Sequence, residues 1–424
     1  MTTELLAVIA TFIIGFGLIS GLIKKSVITP PMAFVALGLL LSSQFLGLIN
    51  LNIENEIVKI VMEFTLVLIL FTDASRIKLK QLHREQDLPT HLLAIGLPLN
   101  IIFGSICAMI LFGGKLTFWE AAVLGTILAP TDPDLAIPVV NSPQLPVRIR
   151  QTINVESGLN DGICFPILLI FLSLAEIETG NETVGYWSGF IAQQLIFGLI
   201  VGIAIGYIGG WLITQSVRKK WMTVSFEKLS GLGLALLAYS LAELVHGNGF
   251  IAAFCAGLTV GNTARSISSF FHSFGEAEGQ LLSLFTFAIY GAVMVLPVIE
   301  QVNWLIVLYA IISLTVVRII SVFISLIGKK LRWETILFFG WFGPRGVASI
   351  LYAIMTLERH NIAHRETIFT IAIFTILISV FAHGLTAFPA SSWYANRIDK
   401  LKERSDTREH GRVQEMPVRL PWRD

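Results

Sequence analysis

Apolar runs of about 20 residues, parted by short polar loops, recur from near the start of the chain almost to its end, and each can cross a hydrocarbon core of ~30 Å as an α-helix. About thirteen such stretches can be placed, over roughly 4–23, 28–50, 56–73, 89–112, 117–141, 149–175, 185–216, 224–245, 249–264, 277–298, 304–328, 332–356 and 366–389. The pattern predicts an all-α polytopic membrane protein. One membrane transport domain spans 1–390, and a short polar tail over 391–424 carries Arg397, Lys400, Lys402, Glu403, Arg404 and Asp406. Two of the stretches are interrupted. Pro130 and Pro133 flank Thr131-Asp132 in the fifth, and Gly340-Trp341-Phe342-Gly343-Pro344-Arg345-Gly346 lies inside the twelfth. Proline removes a backbone donor and clashes with the preceding turn. Irregular backbone at membrane depth survives only where protein buries it or where it lines a cavity. The two breaks lie seven stretches apart and so run in opposite senses, the footprint of inverted repeats with a substrate site between crossing, interrupted helices.

Composition agrees: 54% of residues are hydrophobic and 14% charged, against about 25% charged in soluble proteins. Basic residues alternate along the loops: Lys24 and Lys25, then Arg76, Lys78, Lys80 and Arg84, then Arg148 and Arg150, Arg218, Lys219 and Lys220, Arg265, and Lys329, Lys330 and Arg332. The intervening loops carry Glu54, Glu56, Glu176, Glu178, Glu182 and Glu300, with Lys115, Arg359 and Arg365 as basic exceptions. The positive-inside rule then places the N-terminus outside and the C-terminal tail in the cytoplasm. Met1-Thr2-Thr3-Glu4 is not the basic start of a signal peptide, so the first stretch is expected to be retained. No Gly-rich loop ends in Gly-Lys-Ser/Thr, which leaves gradients rather than P-loop ATP binding to drive any transport. Cys107, Cys164 and Cys255 fall inside spans as small buried hydrophobes, with no disulfide or zinc spacing. No cofactor and no nucleic-acid partner are expected.

Charges inside the spans carry the chemistry. Asp132 and Asp161 lie in otherwise apolar stretches, where each costs roughly 2.5–3.5 kcal/mol even on lenient insertion scales. Such residues are kept for an ion or proton site. Burial penalises the charged form of Asp161, so its carboxylate takes either a proton or a cation, and that competition is itself a mechanism of exchange. On a helix, Glu156 and Asn160 share a face while Asp161 points about 140° away from Glu156. Arg318 is the only charge within the eleventh stretch, at a similar depth, so a buried Glu156–Arg318 ion pair is expected, with Glu156 as an ion ligand the alternative. Asp132 and Arg345 sit at the breaks, where half-helix ends leave about half a unit of charge, and can compensate them.

Pro130-Thr131-Asp132-Pro133, Glu156-Ser157-Gly158-Leu159-Asn160-Asp161-Gly162 and Phe342-Gly343-Pro344-Arg345-Gly346, in this order and spacing, resemble the monovalent cation/proton antiporter-1 family, the NhaP-type sodium/proton exchangers. The resemblance covers the whole membrane domain. It implies a dimeric inner-membrane exchanger whose core bundle moves against a dimerisation domain. It also implies that Asp161 carries ion and proton, that Asn160 marks electroneutral exchange, and that Thr131, Asp132 and Ser157 complete the sodium site. Gly158 departs from the bulkier residue expected there, which would loosen the packing around Ser157. With Asn160 neutral, the pair titrates once, so one cation displaces one proton. Hard oxygen donors suit alkali cations and are too few for calcium. Sodium or lithium is the first choice and potassium the alternative.

Other polar positions read as supporting. Asp73 is expected at a helix end near the cytoplasmic interface, Asp134 in the cytoplasmic funnel, and Glu63 and Glu243 between helices or at a mouth. His360 and His364 read as a solvated turn rather than a metal pair, His383 as a hydrogen-bonded packing residue, and Phe270-Phe271-His272 as an interfacial anchor. An intramembrane aspartyl protease would pair Asp132 with Asp161, but Tyr-Asp and Gly-x-Gly-Asp motifs are missing. A cation channel would show a selectivity-filter ring, and a proton-coupled solute carrier would share the repeats without naming the substrate.

Overall fold

A computed structural model describes residues 10–18, 27–49, 55–80, 87–179, 184–264 and 279–402, with a few isolated positions besides, among them Glu409. The Phe270-Phe271-His272 anchor and most of the tail beyond Lys402 lie outside the described residues. Helices occupy the predicted stretches, and no β-strand occurs among the described residues. In chain order they are α1 over residues 10–18, α2 (Pro30–Leu41), α3 (Glu56–Arg76), α4 (Asp87–Leu111), α5a (Phe118–Ile127) and α5b (Pro133–Val140). They continue with α6 (Val147–Thr179), α7 (Val184–Arg218), α8 (Val224–Leu244), α9 (Gly249–Thr263) and α10 (Gly279–Ile299). The series closes with α11 (Trp304–Ser325), α12a (Trp333–Trp341), α12b (Val347–Glu358) and α13 (Arg365–Lys402). By length and composition α4, α6, α7, α10, α11 and α13 can cross a membrane, while α2, α5a, α9 and α12b are shorter apolar helices.

Polar residues set the helix starts. Thr117 and Glu120 form a capping box at α5a, each side chain serving the other's backbone N–H. Asn248 accepts from the N–H groups of Phe250 and Ile251 to start α9, and Asn303 does the same for Leu305 and Ile306 at α11.

The helices sort into two packed groups. In the first, α9 lies along α7, α8 and α3, while α2 and α10 pack on each other and both touch α13 of the second. In the second, α4, α5, α6, α11, α12 and α13 surround the two breaks. Small residues bring backbones together in the first group, as they do where lipid supplies no hydrophobic drive between helices. A Cβ added at Gly202 or Gly206 of α7 would stand 2.5 or 2.6 Å from the Ala252 or Ala256 carbonyl of α9. Across α9, Gly257 and Gly261 lie on the Phe71 and Ser75 carbonyls of α3. Asn262 then closes the end of α3 by donating to the Ile77 carbonyl (2.8 Å) and accepting from the Leu79 N–H (2.9 Å).

The last helix differs from its expected extent over 366–389. α13 passes Pro389 and continues to Lys402 because its end docks on α12a. Tyr394 stacks on Phe338 with ring centroids 4.3 Å apart and bonds Thr335 Oγ1 (2.9 Å), and Arg397 pairs with Glu334 (3.4 Å). Glu409 returns to accept from the Arg332 N–H (3.0 Å) and Thr335 Oγ1 (3.1 Å).

Candidate ion-binding site at the crossing of two interrupted helices

Each break exposes four carbonyls and four N–H groups that must find partners within protein. The site is built from the partners they find. At the end of α5a, the Ile127 carbonyl accepts from Ser349 Oγ of α12b (2.7 Å). The Ala129 and Pro130 carbonyls accept from Arg345 Nη1 (2.8 and 3.1 Å), and Asn100 Nδ2 of α4 adds a 3.3 Å bond to Ala129. The guanidinium thus stands at the negative end of a half-helix.

Asp132 stands at the positive ends. Its Oδ1 accepts from the N–H groups of Asp134 (2.7 Å) and Leu135 (3.4 Å), capping α5b behind Pro133 at the first helical position. Its Oδ2 accepts from the Val347 N–H (2.7 Å), capping α12b. The Asp132 N–H donates in turn to the Pro344 carbonyl (2.7 Å). One carboxylate therefore joins two helix N-termini. Gly346 is required for this approach, because a Cβ there would overlap Asp132 Oδ2.

Beside this knot lies a chain of neutral oxygens. Asn160 Nδ2 donates to Thr131 Oγ1 (2.6 Å), which lies 2.9 Å from Ser157 Oγ. Because Thr131 accepts from the amide, its own proton is available to Ser157. Among the described residues the buried Asn160 Oδ1 has no hydrogen-bond partner, which leaves one hard acceptor next to Asp161. Thr131, Ser157, Asn160 and Asp161 are all buried, and Tyr352 of α12b donates to the Asp161 carbonyl (2.7 Å), tying α6 to the second broken helix. Arg318 Nη2 lies 2.6 Å from Glu156 Oε1 with both side chains buried, just after a π-helical turn over Ser313–Val317. The structure therefore brings Thr131, Ser157 and Asn160 into contact with one another, with Asp161 the next residue along the helix, sets Glu156 against Arg318, and turns both oxygens of Asp132 toward backbone N–H groups.

Several secondary positions differ from their sequence reading. His364 is not merely part of a solvated turn: its backbone N–H donates to Glu120 Oε1 (2.9 Å) and its Nδ1 lies 2.9 Å from Oε2, while His360 meets Arg365. The Thr117-x-x-Glu120 spacing was the available signal for Glu120. Asp73 is buried, and Asp134 accepts from Ser283 (2.5 Å), linking α5b to α10. Glu243 Oε1 accepts from the Gly249 N–H (2.8 Å) at the start of α9, whereas Glu63 is exposed. An added Cβ at Gly158 would touch only Ile77, at 3.6 Å, so a bulkier side chain has room there. Asn100, Ser349, Ser379 and Tyr352 were not singled out in the sequence. Their only signal is a polar side chain in an apolar run, which many membrane helices share. No group of three or more His, Cys, Asp or Glu among the described residues could hold a metal ion.

A family model described as "Sodium/hydrogen exchanger, transmembrane" matches residues 7–393. The K(+)/H(+) antiporter NhaP of Alkalimonas amylolytica is 23% identical over 391 residues, covering 91% of this chain and 65% of that protein's length. The Na(+)/H(+) antiporter NhaP of Pseudomonas aeruginosa is 26% identical over 356 residues, covering 78% of this chain and 80% of that one. Among solved structures, the sodium proton antiporter MjNhaP1 from Methanocaldococcus jannaschii at pH 8 superposes with a TM-score of 0.73 at 21% identity, covering 90% of this chain and 100% of that one, so the two share a fold.

Proposed function

The chain belongs to the sodium/hydrogen exchanger family, and from that premise we propose that it is a secondary antiporter that exchanges sodium or lithium for protons, one for one. The observation that carries this reading is the hydrogen-bonded Thr131–Ser157–Asn160 cluster beside Asp161, buried where two interrupted helices cross. The crossing supplies what a moving cation needs: neutral oxygens fixed in place and carboxylate charge to balance its own, while Arg345 and Arg318 are turned to the Ala129 and Pro130 carbonyls and to Glu156.

Asp161 alternates between a bound proton and a bound cation. Cation arrival displaces the proton on one side of the membrane, and protonation expels the cation on the other. Thr131 and Ser157 hydroxyls and the Asn160 carbonyl oxygen complete the shell. Asp132 adds its charge from behind Thr131 while holding α5b and α12b together. Because protons and cations compete for one group, apparent cation affinity falls as pH falls. Alternating access comes from the second helical group moving against the first. The protein works as a homodimer in the cell inner membrane, with its N-terminus outside and its C-terminus in the cytoplasm.

Potassium is the second reading, supported by the relative named as a potassium/proton antiporter. The test is cation-induced proton flux in everted vesicles from a host lacking its own exchangers, with sodium, lithium, potassium and calcium added separately. Sodium or lithium is expected to collapse the pH gradient in the parent and to do nothing in Asp161→Asn. Response to potassium alone overturns the cation assignment, and full activity of Asp161→Asn overturns the mechanism.

A further inference from the structure

The break in α12 is held by one face of α13. Ser379, His383 and Thr386 stand at i, i+4 and i+7, a single stripe along that helix. Ser379 Oγ accepts from the Arg345 N–H (2.7 Å). His383 Nε2 lies 2.8 Å from the Trp341 carbonyl, the last residue of α12a, and Thr386 Oγ1 accepts from Trp341 Nε1 (2.9 Å). His383 also packs against the Trp341 ring, tilted by 34° with centroids 5.1 Å apart. Every group named from α13 except the half-buried Thr386 is fully enclosed by protein.

Both ring nitrogens face a backbone carbonyl, and a neutral ring can donate to only one of them. The Trp341 carbonyl can only accept, so a clamp on the end of α12a requires the tautomer in which Nε2 donates. Nδ1 lies 3.1 Å from Ser379 Oγ and 2.9 Å from the Ser379 carbonyl. Ser379 Oγ already accepts from Arg345, and its own proton is available to Nδ1. In that tautomer a single relay runs from Arg345 N–H to Ser379, from Ser379 O–H to Nδ1, and from Nε2–H to the Trp341 carbonyl. The end of α12a thereby receives from an imidazole what the end of α5a receives from the Arg345 guanidinium.

We propose that His383 is a positioning residue for cation exchange: with Ser379 and Thr386 it locks the end of α12a and the linker after it to α13, and so sets where the Thr131 cluster stands. The transmission is bond by bond. Ser379 holds the Arg345 backbone, Arg345 Nη1 holds the Ala129 and Pro130 carbonyls, and the next residue is Thr131, which orients Asn160 and Ser157. Loss of the Nε2 donor frees the α12a terminus and lets the oxygen cluster spread. A residue that merely filled space would tolerate any side chain of equal size and polarity.

The inference rests on the exchanger reading, and the experiment separates the two. The parent, His383→Gln and His383→Asn are reconstituted, and proton flux is measured against cation concentration alongside melting temperature. The Gln amide nitrogen reaches the place of Nε2, and the Asn amide only that of Nδ1. Relative to the parent, the apparent KM for cation is expected within about twofold for Gln and raised about tenfold for Asn, the effect of one lost buried hydrogen bond. The two variants are expected to melt alike. Equal KM values for Gln and Asn, or shifts that only follow melting temperature, overturn the proposal. Independently, a 15N-histidine spectrum of the parent minus that of His383→Gln should show a protonated Nε2 and a bare, bonded Nδ1. An Nδ1–H tautomer overturns the clamp. If the parent moves no protons with any cation, the exchanger reading fails, and that spectrum still decides the clamp.

Discussion

Glu156 and Arg318 come from helices distant in sequence and meet at 2.6 Å with almost no exposure. Neither charge can be left alone at that depth. Removing one partner strands the other, which typically costs about 3–5 kcal/mol, whereas neutralising both costs far less. Arg318→Gln is therefore expected to lower yield and melting temperature sharply, and Glu156→Gln added to it is expected to recover most of that loss, measured by thermal unfolding in detergent. Normal stability of Arg318→Gln with only a shift in cation affinity would mean the pair serves the ion rather than the fold. The pair was legible because each residue is conspicuous in its own apolar run and their depths match. Asn100 and Ser349, which serve carbonyls at the end of α5a, were not, because a small polar residue in a membrane helix more often bonds its own preceding turn, as Ser105 does.

Elements behave in the same way at larger scale. Both interruptions could be read from Pro130 with Pro133 and from the Gly343-Pro344-Arg345-Gly346 run, since neither can continue an unbroken helix. That a single carboxylate caps both second halves could not, because the capping of α12b by Asp132 spans more than two hundred residues. Gly346 marks the place. Gly346→Ala drives a methyl into Asp132 Oδ2 and leaves the Val347 N–H without its acceptor, a loss of about 1–3 kcal/mol. Transport in proteoliposomes is expected to fall at least about tenfold, with a lower melting temperature. Parental transport by this variant would show that the caps do not hold the crossing. The long α13 was underestimated for a related reason: the amphipathic stretch after Ser391 is polar by composition, and only docking of Tyr394 and Arg397 on α12a keeps it helical.

For the molecule as a whole, the proposed titration of one carboxylate beside a neutral Asn160 predicts that each turnover carries one charge each way. Imposing a membrane potential across proteoliposomes should leave the exchange rate unchanged at fixed pH and sodium gradients, and a clear dependence on voltage would overturn one-for-one stoichiometry. The amino-acid order alone establishes the solvent, the helical class, the two breaks and the residues that carry charge among apolar neighbours. Each follows from a local cost, of an exposed peptide group or an ion in hydrocarbon, that no later packing can hide. Which partner meets each cost emerges only in three dimensions: Asp132 for two helix ends, Arg345 for the end of α5a, His383 for the end of α12a, and Asn160 with Thr131 and Ser157 for one another. Those pairings depend on how helices far apart in the chain are set side by side, and hydrophobic periodicity holds no record of that arrangement.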